Sequence, residues 1–221
     1  MSNLYIIATP IGNLEDITLR ALRVLKEVDV VLCEDTRQTQ KLLLKYKIDS
    51  QTLSYHQYSK LNKINKIIEL LKDNRNLALV SDAGTPGISD PGNMLIKYLI
   101  ENKVDVKIIP IPGPSALTSA LCVSGFPTDN FIFLGFVPHK KGRQTFFKNI
   151  AKEKRTVAFY ESPHRIIKTL NSMKEYFPEK NIVICRELTK IYETIYRGNS
   201  EEIIKKITPD QVKGEFVVIV G

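Results

Sequence analysis

The chain has 221 residues, which is enough to bury a substantial core in one large or two small α/β domains. Its apolar share of 43% and charged share of 25% are ordinary for a soluble protein, and no apolar run approaches the roughly 20 residues that cross a bilayer. The chain also has no signal-peptide pattern, and its three cysteines lie far apart. We therefore expect a cytoplasmic protein with reduced cysteines, no membrane segment and no bound metal.

The first half of the chain alternates short apolar runs with amphipathic patterns of helical period. This spacing predicts strands that are connected by helices, and therefore a mainly parallel sheet. The predicted strands cover residues 4–8, 28–33, 53–55, 77–80 and 106–109. The predicted helices lie after a cap at Asp16 or Thr18, then at 39–45, at 64–71 and from 93 onward.

The second half has a different composition, richer in aromatic and β-branched residues. A helix over 115–124, between Pro114 and Gly125, separates the two halves. Beyond it, strands are predicted at 131–137, 156–160, 182–185, 194–198 and 215–220, and a helix begins at Pro163. We predict two α/β domains, 1–114 and 115–221, with a mixed sheet in the second and a ligand cleft between them.

Three turns rich in glycine and proline follow predicted strands, at residues 9–13, 81–92 and 111–116. Ligands of α/β sheets bind at the carboxyl ends of strands, where such turns bring the backbone close to a ligand. The chain has neither a P-loop nor a G-x-G-x-x-G fingerprint, which argues against ATP and dinucleotides. Exposed backbone groups around an apolar slot suit S-adenosylmethionine, whose carboxylate would bind at a helix start.

Basic residues concentrate in two segments of a chain whose net charge is +8. Residues 140–155 carry seven basic side chains and one acid, and a second segment, 37–47, is also basic. A polyanionic partner explains such segments, and a solvated helix face explains them equally well. Phe146 and Phe147 lie in the first segment, where one of them could stack on a base. We assign Phe131, Phe133 and Phe136 to the core of the second sheet.

Seven motifs occur in a fixed order along the chain. They cover residues 8–16 (ATPIGNLED), 33–37 (CEDTR), 81–92 (SDAGTPGISDPG), 111–116 (IPGPSA), 160–165 (YESPHR), 186–190 (RELTK) and 213–217 (KGEFV). In this order they resemble the tetrapyrrole-methylase superfamily. Within it, they resemble the cytidine 2′-O-ribose methyltransferases of the bacterial small ribosomal subunit. The resemblance covers nearly the whole chain and implies a two-domain class III methyltransferase, S-adenosylmethionine as cofactor, and a homodimer.

The resemblance also implies site residues and a substrate. The cofactor contacts would come from Pro10, Ser81, Asp82, Thr85, Ser115, Ala116, Tyr160, Glu161, Leu188 and Thr189. The substrate would be 16S ribosomal RNA in the decoding region of the 30S subunit. We predict a phosphate-binding loop at 138–143, and RNA contacts from Lys140, Lys141, Arg143 and Lys148. The family usually continues beyond the last motif, whereas this sequence stops at Gly221; if that further segment helps to hold RNA, binding here rests more on the basic segments. Residues 55–58 are a weaker candidate for an RNA-facing loop.

The implied chemistry is an in-line displacement in which a ribose oxygen attacks the sulfonium methyl group. A 2′-hydroxyl is a weak nucleophile, so a nearby base or cation would help. The polar candidates at strand ends are Glu34, Asp35, Arg37, Glu161, His164, Arg165, Glu187 and Lys190. Of these, we favour Asp35, Arg37, Glu161 and Arg165 as catalytic or substrate-positioning residues. Structural ion pairs are the alternative explanation for each of them.

Two other functions fit parts of the pattern. A small-molecule methyltransferase of the same class would act on a tetrapyrrole or on a modified histidine of diphthine type, but it leaves the basic segments without a role. A non-catalytic RNA-binding protein would use the charge, but it leaves the three glycine- and proline-rich turns unexplained.

Overall fold

The computed structural model describes residues 2–56, 61–90 and 92–221, and for residue 61 it describes the backbone alone. The chain divides into two compact units, Met1–Ser115 and Ala116–Gly221. Each unit contains a five-stranded sheet. Gln57 and Tyr58, which belong to the predicted RNA-facing loop, lie outside the described residues.

The sheet of the first unit is parallel, as the alternation of strands and helices predicts. Its strands are β1 (Ser2–Ile7), β2 (Val30–Cys33), β3 (Gln51–Ser54), β4 (Leu77–Val80) and β5 (Val106–Ile111). They lie side by side in the order β3-β2-β4-β1-β5, and each neighbouring pair runs parallel. All five carboxyl ends therefore lie at one edge of the sheet.

The helices of this unit connect its strands. They are α1 (Leu19–Glu27), α2 (Thr36–Lys45), α3 (Leu61–Lys72) and α4 (Asn93–Glu101). Thr18 caps α1, because its side chain accepts a hydrogen bond from the Ala21 amide at 3.1 Å. Side chains alternate along each strand, so Val31 packs in the cluster with α1 and α2, while Leu32 packs with α3 and α4. The central strands β2 and β4 are therefore buried on both faces, which explains their continuous apolar runs.

The second unit has the predicted mixed sheet. Its strands are β6 (Phe131–Phe136), β7 (Thr156–Glu161), β8 (Ile182–Arg186), β9 (Thr194–Gly198) and β10 (Phe216–Val220), and its helices are α5 (Ala116–Ser124), α6 (Arg143–Lys152), α7 (Ile166–Tyr176) and α8 (Ser200–Lys206). The strand order is β6-β7-β10-β8-β9, with a parallel β6–β7 pair and antiparallel pairs elsewhere.

Several elements of the second unit differ from the sequence prediction. The helices α6 and α8 were not predicted, and α7 begins at Ile166 rather than at Pro163. The assignment of the β6 phenylalanines to the core is wrong for two of them. Phe131 is 37% exposed and Phe136 is 54% exposed, because β6 is an edge strand of the sheet.

Among the residues that the structure describes, no helix combines the length and the apolarity that a membrane span requires. The same residues include no group of three or more histidine, cysteine, aspartate or glutamate side chains that could hold a metal ion.

Candidate functional site

The loops that follow β1, β4 and β5 are joined by hydrogen bonds at the carboxyl edge of the first sheet. Thr9 and Gly84 exchange two backbone hydrogen bonds, each with an N···O distance of 2.9 Å. The Thr9 hydroxyl donates to the Ser81 carbonyl at 3.0 Å, and the Thr85 hydroxyl donates to the Pro114 carbonyl at 3.1 Å. The three predicted turns thus form one structure, which we call the first-unit rim (residues 8–13, 81–90 and 112–115).

Two glycines allow the rim to pack this closely. Gly84 has a φ of +82°, a conformation that residues with a side chain rarely adopt. A Cβ atom on Gly113 would lie 3.1 Å from the Ala8 Cβ atom, which is tighter than ordinary contact. At these two positions the rim therefore exposes backbone atoms, because no side chain fills the space beside them.

The rim brings together four of the predicted cofactor residues. Pro10 and Ser81 are buried, and the Ser81 hydroxyl lies 3.3 Å from the carbonyl oxygens of both Ala83 and Gly84, so it shapes the turn. Asp82 is exposed and Thr85 is half-buried. Asp82 is therefore an exposed carboxylate of the rim that can reach a ligand.

Two further predicted contacts, Ser115 and Ala116, are half-buried at the point where α5 begins. Ser115 is the last residue of the first unit, and Ala116 is the first residue of the second.

Asp35 and Arg37 form a local pair at the start of α2, beside the rim. The Asp35 carboxylate accepts from the Arg37 amide at 2.9 Å and from its guanidinium at 3.0 and 2.7 Å. These hydrogen bonds, that of the guanidinium first, lower the pKa of Asp35 to about 2. A carboxylate with so low a pKa is a weak general base. The Asp35 amide donates to Asp82 Oδ1 at 3.0 Å, which ties the β2 loop to the rim.

Glu34 is the carboxylate next to Asp35, and its environment shifts its pKa in the opposite direction. Its side chain is half-buried, and burial, together with the nearby Asp82, raises its pKa. A raised pKa brings a carboxylate closer to the range in which it can take a proton at neutral pH. Sequence reasoning named Glu34 among the polar candidates but favoured its neighbour Asp35, because the burial of Glu34 and its proximity to Asp82 arise only in the fold.

In the second unit, Glu161 lies at the end of β7 with a side chain that is 0% exposed. Its carboxylate accepts from the Ser162 amide at 2.7 Å, from Arg165 Nη2 at 2.7 Å and from the Thr169 hydroxyl at 2.5 Å. Arg143 Nη1 lies 3.8 Å from the same carboxylate. We call Glu161, Arg165, Thr169 and Arg143 the Glu161 cluster. It connects β7 to the first turns of α6 and α7.

Arg143 was predicted to contact RNA, but the structure places it differently. The residue is 7% exposed, and its Nη2 donates to the Thr169 hydroxyl at 2.8 Å. Its guanidinium lies 5.1 Å from the ring centre of Phe147, which is also buried and so presents no surface for a base. The reason is helical geometry, because residues four apart share one face of α6, here the inner face.

The other three predicted RNA contacts, Lys140, Lys141 and Lys148, are exposed.

Arg165 holds the start of α7 in place. Its Nε donates to the Ser162 hydroxyl and its Nη1 to the Val137 carbonyl, both at 2.9 Å. Its side chain is 15% exposed, whereas that of Glu161 is fully buried. Glu161 and Arg165 are thus suited to holding the neighbouring loops in position.

The loop after β8 carries the predicted contacts Leu188 and Thr189. Leu188 is buried, and Thr189 has a φ of +66°. Glu187 fixes this loop, because its Oε1 accepts from Lys190 Nζ and from the Glu215 amide, both at 2.9 Å.

Tyr160, the remaining predicted contact, is half-buried. It packs edge-on against Phe133 and Phe136, with ring centres 5.0 and 5.4 Å away.

The fold and this arrangement define a class of protein. The family model of the tetrapyrrole (corrin/porphyrin) methylases matches residues 3–204 of the chain. The solved structure of cobalt precorrin-4 methyltransferase, a cobalamin biosynthetic enzyme, is similar with a TM-score of 0.74 and 20% identity, covering 99% of this chain and 94% of that one. This likeness concerns the fold.

Two relatives are much closer in sequence, and both are ribosomal RNA small subunit methyltransferase I. The protein of Thermotoga maritima is 45% identical over 100% of this chain and 99% of its own. That of Halalkalibacterium halodurans is 47% identical over 98% of this chain and 75% of its own. The chain therefore belongs to the ribosomal RNA small subunit methyltransferase I family of the tetrapyrrole methylases.

Proposed function

We propose that this chain transfers a methyl group from S-adenosylmethionine to the 2′-hydroxyl of a cytidine ribose in 16S ribosomal RNA, in the decoding region of the small subunit. Family membership supports the reaction class and the RNA substrate. The observation that carries the proposal within the structure is the first-unit rim, where three strand-end loops join beside an exposed Asp82.

The rim fits the cofactor in its chemistry. When bound, S-adenosylmethionine supplies an activated methyl group on a sulfonium. Asp82 would accept hydrogen bonds from hydroxyl or ammonium groups of the cofactor, while Pro10, Thr85, Ser115 and Ala116 would line its apolar parts. Ser81 would act indirectly, by shaping the turn. Tyr160, Glu161, Leu188 and Thr189 stay predicted contacts from the second unit.

The acceptor hydroxyl must lose a proton during methyl transfer. We assign the role of base to Glu34, since burial raises its pKa, rather than to Asp35, whose pKa is about 2. Arg37, with a side chain that is 87% exposed, would offer a cation to the reacting oxygen or to a phosphate. Asp35 would orient that cation, while Glu161 and Arg165 would hold the surrounding loops.

RNA would bind along the exposed lysines of the second unit. Lys140, Lys141 and Lys148 are exposed, and the chain as a whole carries a charge of +8. Lysines at this density attract the phosphate backbone without reading its sequence.

We also propose that the protein works in the cytoplasm as a homodimer. The edge strand β6 exposes Phe131, Leu134 and Phe136, by 37%, 38% and 54%. A row of apolar side chains on an edge strand favours association with another chain. Sedimentation should show a dimer, and Phe136→Glu should shift it towards monomer. Wild-type protein that sediments as a monomer contradicts the dimer.

The reaction is tested with tritium-labelled S-adenosylmethionine and 30S subunits from cells that lack this protein. We expect label in the RNA, on one cytidine 2′-oxygen, as mapped by mass spectrometry of nuclease fragments. Asp82→Asn should weaken cofactor binding in calorimetry, whereas the exposed Asp129→Asn variant serves as a control. Label in uroporphyrinogen instead would favour the small-molecule methyltransferase. Absence of any heat with the cofactor would favour the RNA-binding module.

A further inference from the structure

The second unit contains an open cavity of about 430 Å³ that none of the roles above uses. It lies between the first turn of α7 and the segment that leads into β10. The lining residues are Pro163, His164, Ile167, Val212, Lys213 and Gly214. The volume falls within the range of about 300–1,000 Å³ that is usual for small-molecule sites.

The chemistry of the lining favours a flat, apolar group that carries a negative charge. Pro163, Ile167 and Val212 provide apolar surface, and Ile167 leaves 36% of its own surface exposed. Lys213 and His164 are exposed, and the lining residues that the structure describes include no carboxylate. A nucleotide combines an aromatic base with a phosphate and so matches both parts of this lining.

Both walls of the cavity are held by buried contacts. On one side, the Arg186 Nε atom donates to the Lys213 carbonyl at 2.8 Å, and Arg186 is 7% exposed. On the other side, Arg165 ties the start of α7 to Glu161 at 2.7 Å. Because these contacts join groups of the protein itself, they hold the cavity walls in place, and such preorganisation lowers the entropic cost of binding.

The cavity also adjoins the start of the basic segment. Arg165 Nη1 donates to the Val137 carbonyl, three residues before Lys140, and Arg143 Nη2 donates to Thr169 on α7. The Glu161 cluster therefore fixes the exposed lysines and the cavity wall to each other. An RNA strand whose phosphates contact Lys140 and Lys141 would therefore bind to the same rigid part of the second unit that carries the cavity.

We propose that this cavity is a subsite for one unpaired nucleotide of the RNA substrate, with its base against Ile167 and Val212 and its phosphate at Lys213. The inference rests on the proposed function, because it assumes that RNA is the substrate. It adds a site that binds a nucleotide whose base is not stacked on its neighbours in the RNA, next to the phosphate-binding lysines.

The test measures RNA binding separately from methyl transfer. The probe is a fluorescently labelled single-stranded oligoribonucleotide that carries the target sequence. Ile167→Asp and Lys213→Ala should each raise its dissociation constant about tenfold, as loss of one apolar contact with a base or of one phosphate contact would. The control is Lys168→Ala, which removes an exposed lysine next to Ile167 that does not line the cavity. S-adenosylmethionine affinity should stay at the wild-type value in all three variants.

Photo-crosslinking locates the contact directly. An oligoribonucleotide containing 4-thiouridine should crosslink to peptides that include residues 163–167 or 212–214, and Ile167→Asp should remove the adduct. Three results would each overturn the subsite: unchanged RNA affinity in both cavity variants, an equal loss in Lys168→Ala, or a loss of cofactor affinity in Ile167→Asp. Lys213→Ala keeps the test valid if Ile167→Asp does not fold, because it changes one exposed side chain.

The proposed methyl transfer and the proposed nucleotide subsite can be refuted independently of each other. If the wild-type protein binds RNA through the cavity but transfers no methyl group to it, the proposed function fails and the subsite stands. If methyl transfer to RNA proceeds and the cavity variants bind RNA like the wild type, the subsite fails alone.

Discussion

Replacing Glu161 with glutamine should destabilise the second unit strongly. Glutamine keeps the shape of glutamate but removes the negative charge that faces Arg165 and Arg143. The side chains of these two arginines are 15% and 9% exposed, so water compensates them poorly. Breaking a buried ion pair by removing one partner costs about 3–5 kcal/mol, and we expect Glu161→Gln to fall in this range.

Native-state hydrogen exchange measures this loss in each unit separately. The amides of β7 and α7 should exchange at least about 100-fold faster in Glu161→Gln, since 1.4 kcal/mol corresponds to about a factor of ten. The strands of the first unit provide the internal reference. Glu175→Gln is the matched control, because Glu175 is an exposed glutamate on α7, one of the two elements monitored. A change below about 1 kcal/mol in the second unit would refute the idea that this charge stabilises it.

A double-mutant cycle with Thr169→Val then tests the cluster as a unit. The Thr169 hydroxyl donates to Glu161 and accepts from Arg143, so its loss should cost about 1–3 kcal/mol on its own. The two changes should combine to less than their sum, because they remove parts of one network. Simple additivity would mean that the two contacts act independently.

Three further predictions concern exposed groups. Lys140→Ala combined with Lys141→Ala should weaken RNA binding and reduce the slope of log affinity against log salt by about two, and an unchanged slope would exclude both lysines from the phosphate contacts. Asp35 has a folded-state pKa of about 2 against roughly 3.9 in an unfolded chain, so its contribution to stability is present above about pH 4 and is lost as the pH falls through 2. Chemical-shift titration of the carboxylate checks this pKa, and Arg37→Ala should raise it. Cys122 is the exposed cysteine, while the other two are buried with raised pKa values, so a thiol reagent should modify one site rapidly in the native protein and three after unfolding. Rapid modification of all three sites in the native state would contradict the buried positions.

Sequence reasoning predicted the first unit well because its signals are local. The apolar runs of β1, β4 and β5 lead into turns rich in glycine and proline, and parallel strands bring their carboxyl ends to one edge. From these facts, Pro10, Ser81, Asp82 and Thr85 could be placed near one another. The Thr9–Gly84 pairing could not be foreseen, since it joins loops 75 residues apart through backbone atoms that any residue carries.

The helices α6 and α8 of the second unit have recognisable sequence signals, but the composition of these segments drew attention away from them. The capping box of α8, with Asn199 and Glu202 three residues apart, is readable in the sequence. In α6, the spacing of Arg143, Phe147 and Ile150 is helical. The surrounding lysines made this segment resemble a uniform basic surface, and a charge count treats a buried arginine and an exposed lysine alike.

The acid–base properties of the candidate site depend on contacts between distant parts of the chain. Glu34 and Asp35 are neighbours in sequence and have nearly the same intrinsic acidity, yet their pKa values are shifted in opposite directions. Arg37, two residues after Asp35, lowers the pKa of Asp35, and this effect could be read from the sequence. Burial and Asp82, which follows another strand, raise the pKa of Glu34. Because proteins give two carboxylates different roles by shifting their pKa values apart, the proposal of Glu34 as the base follows from the folded rim and not from the motif.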